Sequence, residues 1–221
     1  MRKLLSVLVS AILLMSCDQP TSPVNSTGPI ETKIANIRIG TIATGTEVAI
    51  NGVIVTSTVG LGGRGFFVQD EVATSNGGIM IYVKNNAGLV VAIGDKVSIT
   101  GIYQEYFTQS QIAVENVHNI VKNGTDSTPP PIISTISELA SGSNIEKYES
   151  MLIKIENVNV TEVNTSEKTW VLDNYLVVDD YFYSPTDFPA VDDTFSSIVG
   201  VVYYSYDKYR LEPRSASDVI K

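Results

Sequence analysis

Apolar positions in this chain come as short runs and alternations broken by turn residues, with no stripe at helical spacing across the longer segments. The pattern is clearest in residues 65–101. The run Phe66-Phe67-Val68 gives way to a polar break, then to a second run over residues 79–83 and a turn at Gly94-Asp95. Val97-Ser98-Ile99-Thr100-Gly101 closes the block with period-two alternation, which predicts a strand buried on one face. Ahead of it, residues 48–56 read as a long strand with Gly52 inside it, the mark of a bulge or sharp coil. A glycine-rich hairpin over residues 60–65 joins the two. Further strands are predicted over 97–103 and 112–121, making about five in the rhythm of a small barrel. Ile34, Ile37 and Ile39 form a short lead-in, helical or extended.

Residues 123–131 break the pattern with three successive prolines, which favour a stiff, extended connector. After them the order of elements begins again. Ile34, Ile37 and Gly40 correspond to Ile136, Leu139 and Gly142; Ile50, Val53, Val55 and Thr56 correspond to Ile155, Val158, Val160 and Thr161. The strand 66–70 matches 170–174, and 79–83 matches 175–179. Gly94-Asp95 matches Asp192-Asp193, Gly101 matches Gly200, and Phe107 with Ile112 matches Tyr206 with Leu211. Order kept through every element predicts two copies of one unit rather than a single large sandwich. The expected fold class is therefore all-β, two tandem OB-like small barrels. The first is placed at 30–122, the linker at 123–131 and the second barrel at 132–221.

The N-terminus has a separate logic. Arg2 and Lys3 precede an apolar stretch over residues 4–15, too short to span a bilayer and laid out as an export signal. Leu14-Met15-Ser16-Cys17 resembles the bacterial lipobox, which implies a signal peptide over 1–17, acylation of Cys17 and a membrane anchor of more than one chain. Residues 18–29, rich in proline and small polar side chains, read as a flexible tether. The expected location is thus the bacterial cell envelope, outside the cytoplasm. Cys17 is the chain's one cysteine, so the body has neither disulfides nor thiolate metal sites.

Charge narrows the partners. The formal charge is −9, and loss of Arg2 and Lys3 with a leader takes it to −11, a field that repels phosphate backbones at long range. A single histidine, His118, leaves little for histidine catalysis. The acidic pairs Asp70-Glu71, Asp179-Asp180 and Asp192-Asp193 lack the loop spacing of a calcium site and read as solvated turn residues. No cofactor and no metal are expected, and an enzyme is not.

The blocks GFFVQD, GIMIYV, GDKVSITG and EYFTQSQI, in that order, resemble the OB-fold segment that precedes the catalytic domain of secreted bacterial nucleases of the endonuclease/exonuclease/phosphatase class. YESMLIKIENVNVTEV and GVVYYSYDKYRLEP are similar to the segment that follows it. That resemblance implies a noncatalytic module serving nucleic acid. The class carries its metal-binding carboxylates and catalytic histidines in a separate domain, and none of those residues has a counterpart here.

OB-folds bind across strands two and three and the flanking loops, with aromatic faces stacking on bases or sugars. The aromatic candidates are Tyr82, Tyr103, Tyr106 and Phe107 in the first unit, with Trp170, Tyr203, Tyr204, Tyr206 and Tyr209 in the second. Tyr103, Tyr106 and Phe107 could equally fill a barrel end or a contact between units. Arg64 and Lys84 are the cations of the first unit; Lys168, Lys208, Arg210 and Arg214 those of the second, Lys208 and Arg210 flanking Tyr209. Three partners follow beyond the membrane: single-stranded nucleic acid, glycan, or another protein of an envelope complex. A nucleic-acid groove requires these few cations to gather on one face.

Overall fold

The computed structural model describes residues 28–60, 62–141 and 144–221. The leader, Cys17 and nearly all of the tether lie outside the described residues. The first unit runs β1 (Ile30–Glu31), α1 (Ile34–Arg38), β2 (Glu47–Val55), β3 (Gly65–Gln69), β4 (Gly78–Asn85), β5 (Asp95–Tyr106), β6 (Gln109–Asn116) and β7 (Ile120–Thr125). The second repeats it as β8 (Ile132–Ser134), α2 (Ile136–Ala140), β9 (Leu152–Asn164), β10 (Thr169–Leu172), β11 (Leu176–Val178), β12 (Thr194–Ser205), β13 (Lys208–Glu212) and β14 (Val219–Ile220).

Five strands close each barrel in the same order. In the first, β2, β3, β4, β6 and β5 lie side by side and β5 returns to β2; in the second, β9, β10, β11, β13 and β12 do so and β12 returns to β9. One pair in each is parallel, β4 with β6 and β11 with β13. This closed, Greek-key order is that of an OB-fold, so the fold is all-β with two OB-like barrels in tandem.

Pairing registers carry the internal repeat down to single residues. Val48 faces Gly101 and Ile153 faces Gly200; Ile50 faces Ile99 and Ile155 faces Ile198. Gly52 and its counterpart Asn157 both adopt left-handed backbone, φ 70° and 53°. At Gly52 the ladder slips between Ile50 and Val53, as a bulge requires. Asp95 and Asp193 each accept the N–H three residues earlier, Ala92 and Ala190, at 3.0 Å, and each pairs with a lysine, Lys122 and Lys221. Their role is the turn.

Two readings of the sequence need correction. Val68 faces Ile79 while Leu172 faces Leu176, so Ile79 corresponds to Leu176 and not to Tyr175. With side chains alternating, that one-residue slip would have turned the buried face of β11 outward. Of the residues read as linker, 123–125 continue β7 along β5, because an unpaired strand edge there gains ladder hydrogen bonds. Only 126–131 connect the barrels.

Inward-facing residues fill each barrel: Ile50, Phe66, Val68, Ile79, Ile81, Ile99 and Ile112 in one, Ile155, Trp170, Leu172, Val178, Ile198 and Leu211 in the other. Each such side chain stabilises by about 1.5–3 kcal/mol relative to exposure, against the entropy of ordering it. A third cluster joins the barrels, built from outward-facing Phe67 and Met80 on one side and Leu152 and Val201 on the other, with Tyr181, Phe182 and Tyr203 packed against it.

Candidate ligand-binding cleft between the barrels

The joint determines which surface is left for a ligand. OB-folds in general bind on the outer side of their second and third strands; in the first barrel that side belongs to β3 and β4, and the second barrel covers its Phe67 and Met80 end. Gly78 makes the approach possible: a Cβ there would lie 2.3 Å from the Ser150 carbonyl oxygen. Polar groups fix the joint. Leu152 N–H donates to Gln69 Oε1 at 3.0 Å. Gln109 donates from Nε2 to Glu149 Oε1 at 3.1 Å and to Ser150 Oγ at 3.0 Å, and accepts from Tyr204 N–H at 3.0 Å. Glu149 Oε1 also accepts from Ser110 N–H at 3.1 Å and from the Arg38 guanidinium. Burial pushes the Glu149 carboxyl up to about 8, against the pull of Arg38.

Beyond the covered end the face opens into a cleft of about 570 Å³. Arg64, Gly65 and Tyr82 line it from β3, β4 and the loop before them; Tyr181, Tyr203 and Tyr204 line it from the second barrel. Two hairpin tips rise at its mouth. The β5–β6 turn presents Phe107, 78% exposed, and the β12–β13 turn presents Tyr206, 87% exposed. These positions are equivalents in the repeat. Both tips are two-residue turns with left-handed backbone at each central residue: Phe107 and Thr108 at φ 48° and 66°, Tyr206 and Asp207 at 49° and 59°. Such a turn prefers Asn-Gly, and a β-branched residue at positive φ is costly. Both hairpins thus sacrifice turn stability and hold an aromatic ring into solvent.

The rings beneath are ordered by mutual packing. Tyr203 sits edge-on to Phe67 at 5.4 Å between centroids and tilted against Tyr181 at 5.2 Å. Tyr106 and Phe107 meet edge to face at 4.8 Å. Burial raises the Tyr181 hydroxyl to about 12 and drives that of Tyr203 higher, so both stay neutral donors. Past Tyr203 and Tyr206 the space continues into a second cavity of about 790 Å³, lined by Asp179, Asp180, Arg210 and Glu212.

Of the aromatic candidates, Tyr82, Tyr106, Phe107, Tyr203, Tyr204 and Tyr206 converge on the cleft. Three do not stack on anything external. Trp170 is fully buried, edge-on to Phe188 at 5.4 Å, because the register points it inward with Leu172. Tyr103 is 6% exposed within the first core, its hydroxyl bonded to Glu105 and raised to about 12, mainly by burial. Tyr209 packs on the second core, edge-on to Tyr204, and bonds Glu146. Strand alternation therefore places Tyr209 on the opposite face from its neighbours Lys208 and Arg210, and the aromatic-and-cation interleaving of the sequence is divided between two surfaces.

The cations are largely engaged. Arg210 pairs with Asp179 at 2.8 Å and lies under the Tyr206 ring at 5.4 Å. Lys84 pairs with Glu115, Lys168 with Asp180, and Arg214 with Asp218 while reaching the Thr56 carbonyl of the first barrel. Arg64 donates to the Lys84 carbonyl at the cleft wall, and Lys208 is exposed beside a small hollow of about 170 Å³ on the second barrel. They do not form one basic stripe. Tyr181, Gln109 and Glu212 went unrecognised in the sequence; the only signal was the aromatic triplet Tyr181-Phe182-Tyr183 behind an acidic pair.

No family model matches the chain, and no curated protein does. Among solved structures, the second OB-fold domain of replication protein A from Methanococcus maripaludis is similar, at 18% identity over 44% of this chain and 98% of that one, with a TM-score of 0.30.

Proposed function

We propose that this protein is a noncatalytic binding module of the bacterial cell envelope, anchored through an acylated Cys17, whose inter-barrel cleft takes a glycan. OB barrels bind oligonucleotides and oligosaccharides on the same face, so the choice between them rests on the chemistry lining the cleft. The observation that carries the reading is a tyrosine-lined cleft with Arg64 as the one cation among its described lining residues, while Arg210 in the adjoining cavity is held by Asp179. A phosphate strand gains most of its affinity from free lysines and arginines. A sugar ring needs aromatic faces for its C–H surface and neutral hydroxyl and amide groups for its hydroxyls, which Tyr82, Tyr181, Tyr203 and Gln111 supply.

Single-stranded nucleic acid is the second reading, favoured by Arg64 at the cleft wall beside Tyr82. Titrating the protein with neutral oligosaccharides and with fluorescent single-stranded DNA and RNA over a salt series separates the two. Salt-insensitive saturation by an oligosaccharide, lost in Tyr181→Ala, is expected. Saturable strand binding that weakens steeply with salt, with no response to sugars, would replace the glycan by nucleic acid.

A further inference from the structure

Next to the aromatic cleft, the second cavity has a different chemistry. Glu167, Asp179, Asp180 and Glu212 line it against one arginine, Arg210. Asp179 is satisfied by Arg210 and Asp180 by Lys168, but Glu212 has no ion pair among the described residues. Its side chain is fully buried; Oε2 accepts the Tyr181 N–H at 3.2 Å, and Oε1 has no partner at all. A buried carboxyl oxygen without a partner is costly, and because Glu212 is among the residues lining this cavity, a donor arriving there would satisfy it.

The geometry points to a cation subsite at this end of the cleft: Glu212 Oε1, with Asp179 and Asp180 beside it, receives a protonated amine of the ligand, the free amino group of an amino sugar. This rests on the glycan reading and names the kind of sugar. Tyr181 and Tyr203 stand at the boundary between the two cavities and line both, and tyrosine faces attract ammonium groups. Burial now holds the Glu212 carboxyl well above the usual carboxylate range, with Asp179 and Asp180 adding to the effect and Arg210 opposing it. An arriving ammonium favours the ionised form and the pair would form as the ligand enters.

The test compares, on the intact protein, glucosamine oligomers with N-acetylglucosamine oligomers of the same length by isothermal titration. At least tenfold tighter binding of the free amine is expected, with the preference abolished in Glu212→Gln and reduced about threefold in Asp180→Asn, a more exposed position that spares the fold should the buried substitution disturb it. Equal affinity for both oligomers, or preference for the acetylated one, overturns the cation subsite while leaving a glycan module standing. Binding of neither, nor of a neutral glucan, overturns the glycan reading and the subsite with it.

Discussion

Aligned through their repeat, the two barrels match in apolar inner positions and differ in outer ones. Phe66, Ile81 and Ile112 of the first correspond in register to Trp170, Val178 and Leu211 of the second, all buried. On the outer face, Arg64, Tyr82, Gln109 and Gln111 of the first correspond to Lys168, Asp179, Lys208 and Arg210 of the second. The first set lies against the other barrel and the cleft; of the second, Lys168 and Lys208 are exposed and Arg210 pairs with Asp179 in the adjoining cavity. A repeated core thus needs only apolar volume, whereas the outer face records what each barrel touches. The cleft itself is assembled from equivalent hairpin tips and from loops that have no counterpart, notably the segment carrying Tyr181.

The largest difference to break is at the joint. Arg38 and Glu149 are buried together, with side chains 2% and 0% exposed, whereas the counterpart of Arg38 in α2 is Ala140. Glu149→Leu is expected to cost about 3–5 kcal/mol, since it leaves the Arg38 guanidinium, Gln109 Nε2 and Ser110 N–H without their acceptor. Urea unfolding reads the loss directly; a change below about 1 kcal/mol would mean that the joint does not depend on this pair.

The same carboxyl sharpens the comparison through pH. Its folded value is raised from 4.5 to about 8, so between those values the folded state holds a proton that the unfolded chain has lost. Stability from this group is whole below pH 4.5 and is lost as the pH rises through about 8, by at most on the order of 5 kcal/mol. Thermal melts of Glu149→Gln across that window should show a flatter profile than the wild type; superimposable slopes would refute the assignment.

Gly78 and its counterpart Tyr175 form a third contrast. Tyr175 is 39% exposed, while Gly78 admits no Cβ beside Ser150. Gly78→Ala is expected to destabilise by about 1–3 kcal/mol, an overpacking cost that Tyr175→Ala does not incur. Denaturant midpoints of the two variants decide it, and equal shifts would argue against close approach as the reason for glycine.

The smallest effect separates stability from binding. Replacing Phe107 and Thr108 by Asn and Gly supplies the preferred turn and should stabilise by roughly 0.5–1 kcal/mol while weakening oligosaccharide binding severalfold. A gain in melting temperature with unchanged affinity would show that the exposed ring does not touch ligand.

Alternation and turn chemistry made much of this legible. The two-barrel repeat, the bulge at Gly52 and the turn roles of Asp95 and Asp193 follow from local patterns, because hydrophobic period, glycine conformation and short side-chain hydrogen bonds act within a few residues. The cleft was legible in part: Tyr82, Tyr106, Phe107, Tyr203, Tyr204 and Tyr206 were visible as aromatics, but nothing local tells an inward tyrosine from an outward one when register is unknown. Trp170, Tyr103 and Tyr209 turned inward for that reason. Sequence by itself determined the strands, their repetition and the barrel class. The tertiary structure alone decided how the barrels dock, which cations are neutralised and that Glu212 is left unpaired at the cavity wall. Those outcomes depend on contacts between residues up to 158 positions apart, such as Arg214 with Thr56, whose pairing no local preference encodes.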